Sequence, residues 1–198
     1  MVMCFDETVA WMFGESHTAS PACMCPVLAS IGMRLNDKFD DEERQLLIPL
    51  LARCGGTRSD PEVMQRRALV MLNASIREIG AMALEDHPDL DLSERLRKIR
   101  PVVDWEAAVS GARVAQYVWV EAKRRVAYIS LSTASSATAL VAGYAYEARY
   151  TPDVCLSAVH AAGAAAGAAY AYAATVDCSR RPIVIAIIDA FERAIEVR

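Results

Sequence analysis

The sequence predicts an all-α protein, an antiparallel multi-helix bundle of seven or eight helices with one alanine-rich, close-packed helix pair. Three observations favour this class. No alternating run of β-branched residues and no Asn-Gly or Asp-Gly pair indicates a strand or a hairpin. Helix start and stop signals recur along the chain. Two C-terminal stretches, 126–146 and 154–176, are almost free of charge and rich in alanine.

The first three helices are predicted from residues that favour helix ends. The first covers residues 6–13, and Gly14 ends it. The second begins at Pro26. Proline is favoured in a first helical turn, because the N–H that it lacks would have no partner within the helix there. The third follows Asp40, since a carboxylate is favourable at a helix N-terminus. We expect Pro49 to kink this third helix, because proline lacks the N–H that the helix interior needs.

Similar signals predict the remaining helices. The run Ser59-Asp60-Pro61-Glu62 begins a fourth helix that should reach about Leu84. A short helix should follow from Asp91, which with Glu94 resembles a capping box. A chain of 198 residues suits a single helical domain, 1–198, with Pro101 as the one candidate sub-boundary. Later helix starts are expected at Asp104, Thr151-Pro152 and Ser179.

The two alanine-rich stretches predict a closely packed helix pair. One face of the second stretch carries His160 and small residues only: Gly163, Ala164, Gly167, Ala171 and Ala174. Small residues allow another helix to approach closely, and tyrosines such as Tyr128 and Tyr172 would supply the missing bulk. The alternative is a transmembrane hairpin, since each stretch has about the 20 residues that a bilayer span needs. The scarcity of Leu, Ile, Phe and Val in both stretches disfavours the membrane.

Charge and cysteine content narrow the expected partners and location. The net charge is −4, and neither half of the chain has the basic bias of nucleic-acid-binding proteins. The N-terminus lacks the basic segment and apolar run of a signal peptide, so we expect a cytoplasmic protein. The six cysteines are then expected to be reduced thiols.

One group of residues is a candidate metal site. His17, Cys23 and Cys25 lie together before the second helix, and Cys54 lies near the end of another helix. A helix N-terminus favours the thiolate of Cys25, and three sulfurs with one imidazole would bind zinc. The alternative is that these thiols only fill space in the core. The Cys-x-Cys spacing also differs from the common Cys-x2-Cys of zinc sites.

The same segment carries a resemblance. The run from His17 through Pro21-Ala-Cys23-Met-Cys25-Pro26-Val27 is followed by Asn36-Asp37, Asp41-Glu42-Glu43-Arg44 and Gly56-Thr57-Arg58. In these residues the chain resembles a group of uncharacterised bacterial proteins that also have alanine-rich C-terminal helices. The resemblance implies no activity.

No catalytic motif is present, so the sequence favours a non-enzymatic binding or interaction protein that acts as a homo-oligomer. The small-residue helix faces are the basis for expecting self-association. The alternative is a metal- or thiol-dependent enzyme or sensor that uses His17, Cys23 and Cys25, with Cys54 as a further ligand.

Overall fold

A computed structural model of the chain describes residues 4–85, 90–125, 129–150, 154–173 and 180–198. Every regular element in these ranges is a helix and none is a strand, which confirms the all-α class. Predictions for Tyr128, Thr151-Pro152, Ala174, Cys178 and Ser179 fall outside the described residues. The helices are α1 Phe5–Met12, α2 Pro26–Lys38, α3 Asp41–Gln45, α4 Ile48–Cys54, α5 Pro61–Asn73, α6 Gly80–Met82, α7 Leu90–Arg97, α8 Trp105–Arg125, α9 Ile129–Tyr150, α10 Val154–Ala173 and α11 Arg180–Glu196.

The number of helices differs from the prediction. A π-helical segment, Ala74–Ile79, joins α5 to α6 without a break, so the described residues form ten continuous helices. One difference arises at Pro49, which lies in the first turn of the separate helix α4 rather than inside a single kinked helix. Proline is tolerated at that position, because an N–H in the first turn would have no partner within the helix.

The predicted capping residues act as expected at three helix starts. In each case an aspartate carboxylate accepts a hydrogen bond from the backbone N–H three residues later: Asp40 from Glu43, Asp60 from Val63 and Asp104 from Ala107. Gly14 and Gly56 follow α1 and α4 with φ of 74° and 73°, a conformation that favours glycine. Asp91 differs, since α7 begins one residue before it and Asp91 therefore lies inside the first turn.

Helix α10 is surrounded by other helices and packs mainly against α9, α2 and α5. Alanines supply most of its buried surface, and several are completely buried: Ala158, Ala161, Ala162, Ala165, Ala166, Ala168 and Ala169. The two alanine-rich helices, α9 and α10, are in contact with each other, as their sequences predicted. Of the helices in the described ranges, none combines the length and apolar character that crossing a bilayer requires.

The glycine face of α10 packs against α2, which the sequence did not predict. A Cβ atom on Gly163 would lie 2.4 Å from Ser30 Oγ, and one on Gly167 would lie 3.4 Å from Arg34 Cδ. These contacts advance together along both helices, so α2 and α10 run in the same direction. The antiparallel arrangement of the bundle as a whole stays a prediction.

A buried tyrosine links α8, α9 and α10. The ring of Tyr172 stacks on the indole of Trp119 with a centroid distance of 4.6 Å and an interplanar angle of 9°. Its hydroxyl lies 2.6 Å from Thr138 Oγ1, which itself donates to the carbonyl of Ala134. Burial raises the pKa of Tyr172 to about 12, so its hydroxyl keeps its proton and donates to Thr138. This contact adds a directional bond to a region that is otherwise mostly alanine.

Candidate functional site

His17 and Cys23 lie in the loop before α2, where each contacts a glutamate. His17 is exposed, and its Nε2 lies 3.2 Å from Glu7 Oε1. The backbone N–H of Cys23 donates to Glu15 Oε1 at 2.6 Å. Partial burial raises the pKa of the Cys23 thiol, and so do the hydrogen bond of the thiol itself to the Glu15 carboxylate and the negative charge of that carboxylate. The thiol therefore stays protonated near neutral pH, which disfavours it as a nucleophile.

Cys25 and Cys54 are both buried at helix ends. Thr57 connects them, since Cys25 donates its backbone N–H to Thr57 Oγ1 at 3.1 Å and the Thr57 hydroxyl donates to the Cys54 carbonyl at 2.5 Å. The hydroxyl of Ser59 donates to Cys25 Sγ at 3.7 Å. Burial raises the pKa of Cys54 to about 12, so this thiol stays protonated. Cys25 occupies the predicted position before the first turn of α2, in a packed environment.

The predicted metal ligands do not form a cluster. Within the part of the chain that the structure describes, no three His, Cys, Asp or Glu side chains form a group that could hold a metal ion. His17 and Cys23 instead contact Glu7 and Glu15, whereas Cys25 and Cys54 lie in the core. The zinc site is therefore still a prediction from the sequence alone.

Asp6 is a buried titratable residue, whereas its sequence position predicted only the start of the first helix. Its side chain is completely buried, and neither carboxylate oxygen has a hydrogen-bond partner among the residues that the structure describes. Burial, followed by the nearby charges of Asp37 and Glu7, raises its pKa to about 7. Helical periodicity could have indicated this burial. Asp6 lies three and four residues before Val9 and Ala10, which are also buried, so the three share one face of α1.

A groove between α2, α9 and α10 is the strongest candidate for a binding site. Its volume is about 390 Å³, within the range of about 300–1,000 Å³ that is typical of small-molecule sites. Glycine and alanine of α10 form its floor, while α2 and α9 form its two walls. The residues that line it are Ser30, Arg34, Lys38, Ala137, Leu140, Tyr144, His160, Gly163, Ala164, Gly167, Ala168, Tyr170 and Ala171.

The small-residue face of α10 explains why this groove exists. Most residues that the sequence grouped on this face line the groove, including His160, Ala164 and Ala171. Gly163 and Gly167 let α2 come close to α10, and the neighbouring alanines have no side chain long enough to fill the space between the walls. The sequence predicted that these residues share a face, but the face was expected to pack against another helix and not to line a groove.

Two cations lie on the α2 wall of the groove. Arg34 and Lys38 are one helical turn apart and exposed, so their charged groups point from the same side of α2. Neither forms an ion pair with any residue that the structure describes. Neither residue could be recognised as part of a site from the sequence, because a charged residue on an amphipathic helix usually faces solvent.

Aromatic residues lie towards both ends of the groove. The rings of Tyr144 and His160 are 5.4 Å apart at an angle of 56°. Towards the other end, Tyr170 lies 5.8 Å from the Phe39 ring and accepts a hydrogen bond of 2.5 Å from Arg180. The Arg180 guanidinium also forms an ion pair with Glu43 at 2.8 Å. These contacts limit the length of the apolar floor that a ligand could occupy.

Searches with this chain against protein-family models, curated proteins and solved structures find no significant match.

Proposed function

We propose that this is a non-enzymatic binding protein whose ligand lies in the groove between α2, α9 and α10. The observation that carries the proposal is a concave surface with an apolar floor and two cations that have no carboxylate partner among the described residues. Small-molecule sites combine apolar walls with a few polar groups in this way.

The cysteine chemistry gives less support to an enzyme. The pKa values of Cys23 and Cys54 are raised by burial, whereas a catalytic cysteine needs a lowered pKa. The groove, in contrast, has an open volume and two cations, which can hold a ligand without covalent chemistry. The described residues therefore favour a role in binding.

The proposal can be tested with a neutral apolar fluorophore, N-phenyl-1-naphthylamine, titrated into the purified full chain. We expect saturable binding that Ala164→Leu weakens at least about tenfold, because the larger side chain fills the floor of the groove. Ala52→Leu is the matched control, since Ala52 is exposed on α4 and lies outside the groove. Equal affinity in both variants, or no saturable binding, would contradict the proposal.

Self-association is the second part of the proposal. Trp11, Met12 and Phe13 are consecutive, and their exposed fractions of 70%, 45% and 45% make an apolar surface at the end of α1. Sedimentation velocity of the full chain at several concentrations tests this part. We expect a dimer or a larger species that Trp11→Ser weakens, and a monomer at every concentration would refute it.

A further inference from the structure

We infer that the ligand of this groove is a free amphipathic carboxylate, with its head held by Arg34 and Lys38 and its apolar body along α10 towards His160. The inference rests on the proposed function and adds the chemical class of the ligand. Its basis is the distribution of charge and apolar surface within the groove.

Among the described residues, no carboxylate pairs with the two cations of the α2 wall. The lining residues of the groove include no aspartate or glutamate, and Arg34 and Lys38 form no ion pair with the described residues. Other arginines of the chain do have carboxylate partners, such as Arg53 with Glu192 at 3.1 Å and Arg66 with Glu62 at 2.8 Å. The groove therefore carries a local positive charge that an anionic head would balance.

The arrangement of the two cations favours a carboxylate. The planar guanidinium of Arg34 can donate two parallel hydrogen bonds to a carboxylate, and Lys38 lies one turn away to add a third donor. A phosphate ester bears more charge, and its dehydration against an alanine floor would cost more free energy. A carboxylate with one charge fits a site that is apolar apart from one wall.

The direction of the helices defines where the apolar body lies. Arg34 packs beside Gly167, and His160 is seven residues earlier on α10, about 10 Å along the helix axis. Between these points the groove presents Gly163 and Ala164, with Leu140 of α9 exposed on the opposite wall. A flexible chain of about that length can lie on this surface, with the Tyr144 and His160 rings at its far end.

The test is isothermal titration of the full chain with decanoate, decyl phosphate and the neutral 1-decanol, alongside the fluorophore described above. We expect decanoate to bind once per chain, more tightly than the other two, and to displace the fluorophore. Arg34→Gln and Lys38→Gln should each weaken decanoate roughly tenfold to a hundredfold. Both variants should keep the circular dichroism spectrum and the thermal midpoint of the wild type, which shows that they are folded.

The matched control is Arg113→Gln, which removes an exposed arginine of α8 outside the groove and should leave decanoate affinity unchanged. If decanol binds as tightly as decanoate, or if Arg34→Gln behaves like Arg113→Gln, the carboxylate assignment is wrong although the groove remains a binding site. Tighter binding of decyl phosphate would also overturn it. Binding to phosphatidylglycerol vesicles without binding of free decanoate would identify a membrane surface instead. If the wild-type chain shows no saturable binding of the fluorophore, the proposed function itself is refuted.

Discussion

The substitution Asp6→Asn should make the stability of the protein less sensitive to pH. The Asp6 carboxyl is completely buried and has no hydrogen-bond partner in the described part of the chain, and burial raises its pKa from an ordinary value of 3.8 to about 7. A carboxyl whose pKa is higher in the folded state stabilises the fold when it is protonated. That contribution is fully present below about pH 3.8 and is lost as the pH rises towards 7.

The size of the effect follows from the two pKa values of Asp6. Each pH unit between them changes the free energy of unfolding by about 1.4 kcal/mol, so the carboxyl should cost the folded state about 4 kcal/mol by pH 8. The asparagine variant has no such charge at any pH. Its amide also lacks a partner, which costs about 1–3 kcal/mol at every pH. The difference between two pH values cancels that constant term.

The assay is urea unfolding of the wild type and the Asp6→Asn variant at pH 4 and pH 8. We expect the stability of the variant relative to the wild type to improve by about 4 kcal/mol between the two pH values. The control is Asp41→Asn, because the Asp41 side chain is 96% exposed and should show no comparable change. A relative stability of Asp6→Asn that is the same at both pH values would refute a buried carboxylate with a raised pKa.

Two further substitutions test the packing and each has a matched control. Gly32→Ala would place a Cβ 2.4 Å from the buried Phe5 ring. Thermal or urea unfolding should therefore show a loss of about 1–3 kcal/mol in the free energy of unfolding. Gly143→Ala has open space and should instead stabilise α9 by up to about 1 kcal/mol; effects of equal sign would contradict this geometry. Arg67→Met removes the donor to two backbone carbonyls and should cost about 2–5 kcal/mol in urea unfolding. The exposed neighbour variant Arg66→Met should cost less than about 1 kcal/mol, and a similar loss in both would show that burial of Arg67 is unimportant.

Much of the local structure could be predicted from the sequence. Asp40, Asp60 and Asp104 each bond the backbone three residues later, because a capping interaction depends only on residues within one turn. The glycines after α1 and α4 have positive φ for the same local reason. The small-residue face of α10 was visible too, since helical periodicity alone places those residues together.

The candidate site could be predicted only in part. The sequence showed the small-residue floor of the groove, but Arg34 and Lys38 looked like ordinary solvated residues of an amphipathic helix. Their role depends on α2 lying beside α10, and local periodicity contains no information about which helices become neighbours. The metal site stays a prediction, since only the nearness of His17, Cys23 and Cys25 in the sequence suggested it, and the structure shows that Cys25 and Cys54 lie in the core.

The sequence by itself determined the all-α class, most helix starts and the face of α10 that carries His160 and small residues. These features depend on interactions between residues a few positions apart. Only the tertiary structure decided that α2 covers the glycines of α10, that a groove with two unpaired cations results among the described residues, and that Asp6 is buried. Each of these outcomes depends on contacts between distant segments, where packing of one helix on another sets the burial and charge environment of a side chain.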